Sequence, residues 1–178
     1  MKADDFHPFH SMVMDPALVR KHDGSGPRYT SYPTADRFGP DFGARSLVLH
    51  MLDRKAGAPW SLYMHLPFCD TLCYYCACNK VITRDHSKSA KYVEYLEREM
   101  ALVEPLLGEE RRVSQLHWGG GTPTFLAREE MSRLVRAVDA RFDRSADFEC
   151  SIEIDPRRIA PGTLAFPAAH GFNPVSIG

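Results

Sequence analysis

The sequence predicts an α/β fold in which parallel strands alternate with helices, and three observations lead to this class. Short apolar segments recur along the chain, bounded by glycine, proline or polar residues. Long segments with helical apolar spacing lie between them. Motifs rich in cysteine, glycine and carboxylate follow or close three of the apolar segments. Strands separated by helices need right-handed crossovers, which produce a parallel sheet or barrel.

The composition is that of an ordinary globular protein, with 44% hydrophobic and 25% charged residues among 178. The formal net charge of -1 creates no basic field that would attract nucleic acid or an anionic membrane. No apolar segment approaches the roughly 20 residues that span a bilayer. The acidic N-terminus does not resemble a secretory signal. We therefore expect a cytoplasmic protein that binds neither nucleic acid nor membranes.

Residues 1–58 are interrupted by many glycines and prolines and predict a partly irregular N-terminal arm. Short helices are expected at residues 16–22 and 44–55. Residues 28–34 carry more aromatic and hydrogen-bonding side chains than a linker needs. Two interpretations of that stretch remain open, a disordered leader and an arm that covers a site. Residues 59–178 have a regular pattern of apolar segments and are predicted to form the second region.

Four strands are predicted from the apolar segments, at residues 61–66, 113–118, 148–154 and 173–177. Amphipathic helices are predicted between them at residues 87–107 and 128–142, with a weaker one at 161–170. Two prolines disagree with this pattern. Pro167 falls in the interior of the weak helix, at a cost of about 3 kcal/mol, and Pro174 would remove a donor from the last strand. Degraded sequence in the terminal segment is one interpretation.

Four of the five cysteines, Cys69, Cys73, Cys76 and Cys78, follow the first predicted strand. Disulfides fit poorly in a reducing compartment. A structural zinc site usually takes its ligands from two separated loops, and the distant thiol, Cys150, is predicted to be an inert core residue. Three closely spaced thiolates suit a 4Fe–4S cluster with one open iron. The spacing favours that cluster, while zinc and thiols without metal remain alternatives.

The second and third predicted strands also end in polar motifs. Gly119–Thr122 lacks the lysine of a phosphate loop, so binding of a nucleoside triphosphate is not expected. Consecutive glycines allow a ligand to approach the backbone closely, although a tight turn is the alternative. Glu153 closes the third strand. Because site residues gather at the carboxyl ends of parallel strands, both motifs and the cysteine loop (residues 69–78) are predicted to face one mouth.

The cysteine triplet resembles the radical S-adenosylmethionine (SAM) superfamily, and its surroundings are similar to the oxygen-independent coproporphyrinogen III oxidase family. The similar motifs are Arg28–Thr34, Tyr63–Cys69, Cys78–Lys80, His117–Thr124 and Ile152–Pro156. The resemblance implies that residues 59–178 are the N-terminal half of a radical SAM barrel domain, a parallel (β/α) partial barrel truncated in about the fourth strand. It also implies that the chain is an N-terminal fragment, which we expect to be inactive in isolation.

The resemblance implies roles for individual residues. Cys69, Cys73 and Cys76 would ligate a 4Fe–4S cluster whose open iron binds SAM. Contacts with SAM are implied at Tyr63, Tyr75, Gly120, Gly121, Thr122 and Glu153. Cys78 and His65 are the candidate catalytic residues, and their alternatives are a structural thiol and a satisfied core histidine.

The implied activity is that of a radical SAM oxidoreductase of heme and porphyrin biosynthesis. It would decarboxylate two propionates of coproporphyrinogen III to the vinyls of protoporphyrinogen IX. The implied partners are a porphyrinogen substrate and an electron donor, with a monomeric full-length protein. A radical SAM heme chaperone-like protein and a non-catalytic metal- or heme-binding module are alternatives, and Cys78 together with Arg28–Thr34 favours the oxidase.

Overall fold

The structure, a computed structural model, describes residues 15–24, 34, 37–74, 76, 78–173 and 175–177. The chain divides into two units, Met1–Phe42 and Gly43–Gly178. In the first unit, helix α1 (Pro16–His22) begins where the Asp15 carboxylate accepts a hydrogen bond from the Ala17 amide at 2.8 Å. The helix predicted there is confirmed. The arm suggested at residues 28–34 lies outside the described residues, apart from Thr34.

The described part of the second unit contains six strands, β1 (Trp60–Leu66), β2 (Phe68–Cys69), β3 (Val81–Ile82), β4 (Arg112–Gly120), β5 (Asp143–Ile154) and β6 (Val175–Ile177). Its helices are α2 (Ala44–Leu52), α3 (Ser87–Val103), α4 (Arg128–Asp139) and α5 (Ala165–Ala169). Short 3₁₀ helices occur at Glu104–Leu106, Pro123–Phe125 and Pro156–Arg158. No helix in the described part of the chain is both long and apolar enough to cross a membrane.

The main sheet has the strand order β1-β4-β5-β6, and all its neighbouring strands are parallel. In its centre Leu62 pairs with Leu116, which pairs in turn with Cys150. This topology confirms the predicted parallel α/β fold. A second pair, β2 with β3, is also parallel and was not predicted, because two residues per strand are too few to show an alternating pattern.

The core lies between one face of this sheet and the helices. Successive residues of a strand point to opposite faces, so each strand contributes every second side chain. On the covered face Trp118 and Ile152 are 0% exposed, and Leu134 of α4 is equally buried against them. The other face carries polar residues at the carboxyl ends of β1, β4 and β5, namely Tyr63, His65, His117, Ser151 and Glu153.

Several element boundaries differ from the predictions for physical reasons. Helix α3 ends at Val103, and the chain continues as the 3₁₀ helix Glu104–Leu106. The α-helix does not continue through Pro105, because proline has no backbone N–H and its ring clashes with a carbonyl of the preceding turn. Strand β5 begins at Asp143, five residues before the predicted strand, and pairs there with β4. The polar residues 143–147 give no apolar alternation, so their sequence does not indicate a strand.

Pro167 does not interrupt a helix. The predicted helix at residues 161–170 is shorter in the structure, and α5 begins only at Ala165. Pro167 therefore lies in the first turn, where backbone amides have no acceptor within the helix. The first hydrogen bond of the α-helical pattern runs from the Ala168 amide to the Leu164 carbonyl at 3.0 Å. The predicted cost of about 3 kcal/mol thus does not arise; Pro174 lies outside the described residues.

Candidate cofactor site

Three loops meet at the carboxyl ends of β1, β4 and β5. The amide of Gly121 donates to the Leu66 carbonyl at 2.8 Å, which joins the glycine loop (Gly119–Thr122) to the end of β1. The amide of Gly120 donates to Glu153 Oε2 at 2.9 Å, which joins the same loop to the end of β5. The prediction that the three motifs face one mouth is confirmed by these contacts.

The cysteine loop is closed at its base by the short β2–β3 pair. The amide of Val81 donates to the Pro67 carbonyl at 2.8 Å, and that of Thr83 donates to the Cys69 carbonyl at 2.9 Å. Inside the loop, the Cys76 amide donates to the Cys73 carbonyl at 3.1 Å. These bonds return the chain to its starting point, so the thiols sit on a closed loop rather than on an open linker.

The three predicted ligands, Cys69, Cys73 and Cys76, are half-buried free thiols. The Thr122 hydroxyl, from the glycine loop, lies 3.6 Å from Cys69 Sγ and donates to it. Burial raises the pKa of the Cys69 thiol, and this hydrogen bond from Thr122 opposes the increase. Metal binding to such a thiol would release its proton.

The donor set fits an iron–sulfur cluster. Within the described residues, no group of three or more His, Cys, Asp or Glu side chains converges so as to hold a single metal ion. In a 4Fe–4S cluster each thiolate binds a different iron, so its ligands need not converge on one point. Soft sulfur donors are the ligands that such clusters use. Three half-buried thiols on a loop closed at its base meet this requirement.

The glycine loop packs tightly on the end of β1. Gly120 has a φ of +109°, and a Cβ there would lie 2.5 Å from Cε1 of His65. A Cβ on Gly121 would lie 2.6 Å from the Phe68 carbonyl oxygen. The structure thus gives a reason within the chain for glycine at both positions, and their contact with SAM remains a prediction.

His65 lies on the polar face of the sheet and is only partly buried, so it is not a core histidine. Its Nε2 lies 2.8 Å from the Asn79 carbonyl oxygen, and its Nδ1 lies 3.1 Å from the Tyr63 hydroxyl. Because a carbonyl oxygen only accepts, Nε2 donates to Asn79 and Tyr63 donates to Nδ1. Burial and the nearby Glu153 carboxylate raise the pKa of Tyr63, which keeps this hydroxyl protonated. His65 therefore links β1 to the cysteine loop.

The Glu153 carboxylate is held by two groups of β4. Besides the Gly120 amide, His117 Nε2 lies 3.3 Å from Glu153 Oε1. On the other side of the imidazole, Nδ1 lies 2.6 Å from the Ser151 hydroxyl oxygen. His117 and Ser151 were not among the predicted site residues. For Ser151 a signal was present in the period-two spacing, since it lies two residues before Glu153 on the same face of β5.

A second histidine that was not predicted anchors the cysteine loop. His86 precedes α3, and its Nε2 lies 3.1 Å from a carboxylate oxygen of Asp70, the residue after Cys69. Its Nδ1 lies 3.0 Å from the Phe125 carbonyl oxygen, and its ring stacks on the Phe125 ring at 3.9 Å. His86 thus connects the cysteine loop with the turn that follows the glycine loop.

The remaining predicted residues have different outcomes. Tyr75 lies outside the described residues. Cys78 is exposed on the cysteine loop, and its role stays a prediction. Cys150 is 1% exposed, and burial raises the pKa of its thiol to about 12, which confirms an inert core residue.

Comparison with known proteins identifies the family. The model of the radical SAM superfamily matches residues 63–178. The oxygen-independent coproporphyrinogen III oxidase of Escherichia coli K12 is 49% identical over 92% of this chain and 35% of its own length. The protein of that name from Pseudomonas aeruginosa is 50% identical over 92% of this chain and 36% of its own length. The chain thus spans about a third of the length of these relatives.

Two further matches cover the same region. The Mannheimia haemolytica sequence named oxygen-independent coproporphyrinogen III oxidase is 48% identical over 82% of this chain and 98% of its own length. The solved structure of coproporphyrinogen III oxidase from Escherichia coli, described as a radical SAM enzyme, is 44% identical with a TM-score of 0.78. It covers 92% of this chain and 36% of that one. The superfamily's cofactors are a 4Fe–4S cluster and SAM, as predicted. Fold, motifs and relatives agree, and the chain belongs to the radical SAM superfamily, within the family of oxygen-independent coproporphyrinogen III oxidases.

Proposed function

We propose that this chain holds the cluster and SAM of an oxygen-independent coproporphyrinogen III oxidase. That enzyme would convert two propionates of coproporphyrinogen III to vinyl groups, giving protoporphyrinogen IX. The observation that carries the proposal is the direct bonding between the three loops. The glycine loop contacts Cys69 through Thr122 and contacts Glu153 through Gly120, so the candidate metal and cofactor ligands form one continuous site.

In this proposal Cys69, Cys73 and Cys76 bind three irons. When bound, the cluster and SAM supply a carbon radical that removes hydrogen from the substrate. The chain's own contribution is to position these groups. The β2–β3 pair fixes the base of the cysteine loop, and the Thr122 hydroxyl donates to the Cys69 sulfur, an interaction that favours the charged thiolate.

The proposed SAM contacts line the open face of the sheet and the glycine loop. Among the described residues, each Glu153 oxygen has one hydrogen-bond contact, which leaves acceptor capacity for an ammonium or hydroxyl group of SAM. Tyr63 is 58% exposed and lies beside this carboxylate. Gly120, Gly121, Thr122 and Tyr75 complete the proposed set. A ligand that bridges these groups would lie beside the cysteine loop, because Thr122 contacts Cys69.

Two residues are proposed for the substrate side of the reaction. His65 is hydrogen-bonded to both Tyr63 and Asn79, and it would keep the cysteine loop in register with β1. Cys78 is exposed on the same loop, where a bound substrate has access to it. The porphyrinogen, an electron donor, a monomeric full-length protein and a cytoplasmic location are parts of the same proposal.

Anaerobic reconstitution with iron and sulfide tests the ligand set. Replacing Cys69, Cys73 or Cys76 by Ala should abolish the cluster's visible absorption, because three thiolates are the minimum that leaves one iron open. The matched controls Cys78→Ala and Cys150→Ala should retain it. Loss of the cluster in Cys78→Ala together with its retention in Cys69→Ala would contradict the assignment.

Equilibrium dialysis of the reconstituted protein with SAM tests the second half of the site. Glu153→Gln keeps the size of the side chain and removes its charge, so it should weaken SAM binding while the cluster absorption stays unchanged. Glu149→Gln on the same strand is the control, since that exposed side chain lies in the middle of β5, away from its carboxyl end. Equal SAM affinity in the wild type and in Glu153→Gln would remove Glu153 from the site. In the complete enzyme, anaerobic formation of protoporphyrinogen IX tests the proposed activity.

A further inference from the structure

A chain of polar contacts runs across the open face of the sheet from Ser151 through His117 to Glu153. We infer that His117 is a positioning residue that fixes the plane of the Glu153 carboxylate for its ligand, and that Ser151 selects the tautomer of His117 that allows this. The inference deepens the proposed function and rests on it in one respect, the contact between Glu153 and SAM.

The first step concerns the two oxygens of Glu153. The Gly120 amide donates to Oε2 at 2.9 Å, and His117 Nε2 lies 3.3 Å from Oε1. The last torsion of a glutamate side chain has a broad energy minimum, so a single contact leaves the carboxylate free to turn. Two donors on different oxygens remove that freedom. Because both donors belong to β4, the carboxylate plane is fixed relative to the glycine loop.

The second step concerns the imidazole of His117. An ionised carboxylate only accepts hydrogen bonds, so Nε2 must carry the hydrogen. In the neutral ring Nδ1 is then an acceptor, and its neighbour is the Ser151 hydroxyl oxygen at 2.6 Å. A serine hydroxyl rotates to donate where an acceptor is present. The partners on both sides therefore select the same tautomer, with hydrogen on Nε2.

The third step concerns the space around this pair. The Tyr63 ring stacks on the His117 ring, with centroids 5.7 Å apart and planes 19° apart. A Cβ on Gly119 would lie 2.9 Å from both His117 Nε2 and Glu153 Cδ, so glycine at this position leaves room for their contact. The side chains of His117 and Glu153 remain 32% and 37% exposed. A ligand can therefore reach the Glu153 carboxylate, while His117 fixes the orientation of that carboxylate.

Partial exposure also separates this role from a structural one. A hydrogen-bonded pair that is a third exposed contributes little to the stability of the fold. Changes at His117 should thus affect ligand affinity more than the midpoint of unfolding. A residue with a purely structural role would show the opposite pattern.

The first test needs no variant. The wild-type chain without cluster, labelled with ¹⁵N-histidine, is examined by NMR at pH 8, and His117 should show the tautomer with hydrogen on Nε2. Comparison with the spectrum of His117→Gln assigns its signals among those of the eight histidines. Ser151→Ala should raise the population with hydrogen on Nδ1, whereas Ser151→Thr, which keeps a hydroxyl, should not. A wild-type ring with hydrogen only on Nδ1 would overturn the inference.

The second test compares two amide substitutions at position 117. In His117→Gln the side-chain amide reaches the position of Nε2 and still donates to Glu153. In His117→Asn the amide reaches only the position of Nδ1. SAM affinity of the reconstituted chain should fall about tenfold in His117→Asn and stay within about threefold in His117→Gln, as loss of one hydrogen bond to a charged group predicts. Both variants should unfold at the midpoint of the wild type.

Equal affinities of the two variants would overturn the positioning role even if SAM binds well. A matching loss in the unfolding midpoint of His117→Asn would also overturn it, because the effect would then be structural. If the reconstituted wild type binds no SAM, the proposed function fails and the ligand part of the inference falls with it. The NMR result still decides the tautomer in that case, so the two failures are distinguishable.

Discussion

The two faces of the sheet carry different kinds of residue although the same strands build both. On the covered face Leu116, Trp118 and Ile152 are at most 3% exposed and pack against helices. On the open face Tyr63 is 58% exposed, and the side chain of Glu153 is 37% exposed. Neighbouring residues in sequence thus alternate between the core and the candidate site. A register slip of one residue would exchange the two faces, so the alternating pattern specifies the register of these strands.

The largest expected effect is on the covered face. Trp118 is 0% exposed and meets the Phe172 ring edge-on at 4.9 Å. Trp118→Ala should lower the free energy of unfolding by about 3–5 kcal/mol, measured by chemical denaturation. Its indole Nε1 has no hydrogen-bond partner among the described residues, so Trp118→Phe should cost less. Tyr63→Ala on the open face should cost about 1 kcal/mol or less; a loss as large as that of Trp118→Ala would contradict the division between the faces.

A smaller effect is expected at Gly120, where β4 ends and the glycine loop begins. Gly162, which lies before α5, is the control, because it has a φ of +85° but open space around it. Gly162→Ala should lower the free energy of unfolding by about 1–2 kcal/mol. Gly120→Ala should cost more in the same denaturation experiment, since Gly120 combines a φ of +109° with the His65 ring 2.5 Å from a new Cβ. Equal losses in the two variants would mean that His65 moves away without cost.

The fold was predictable from sequence where the pattern is long. The strands around Leu62 and Leu116 and the helix around Leu134 follow from apolar spacing alone. Prediction failed where the local pattern is weak. The polar start of β5 is held by pairing with β4, and the β2–β3 pair is held by the chain at the base of the cysteine loop. Both depend on residues distant in sequence, which local propensity does not contain.

The candidate site was predictable in a similar way. The cysteine spacing predicts the cluster, and the position of Glu153 at a strand's end places it at the mouth. His117, Ser151 and His86 were missed because their partners come from other elements. No spacing within one segment reveals a contact between two strands before their register is known. The register in turn depends on the whole sheet.

A further prediction contrasts the thiol of Cys150 on the covered face with the hydroxyl of Ser151 on the open one. Burial raises the pKa of Cys150 from 9.0 to about 12. Between those pH values the unfolded chain loses the proton and the folded chain keeps it, so stability is complete below pH 9 and falls as the pH rises. The Cys150→Ala variant has no thiol at this position, so its stability does not fall for this reason as the pH rises. The difference in unfolding free energy between wild type and Cys150→Ala should therefore narrow from pH 8 to pH 10.5.

The control for that experiment is Ser151→Ala. The serine hydroxyl does not titrate in this range, so its difference from wild type should stay constant with pH. A difference that stays constant for Cys150→Ala as well would contradict the buried state of the thiol.

The smallest expected effect concerns α5. The sign of the change in unfolding free energy decides where this helix begins. Pro167 is buried in the first turn of α5 and lacks only an amide that would have no helical acceptor. Pro167→Ala should lower the unfolding free energy by about 1 kcal/mol, because the unfolded chain gains freedom. If Pro167 instead interrupted a longer helix, the same change would raise stability by about 3 kcal/mol. Ala168→Pro is the matched control, since it removes the bond from the Ala168 amide to the Leu164 carbonyl and should cost about 3 kcal/mol. Denaturation of both variants distinguishes a helix that begins at Ala165 from one broken at Pro167, and a stabilising Pro167→Ala would refute the first.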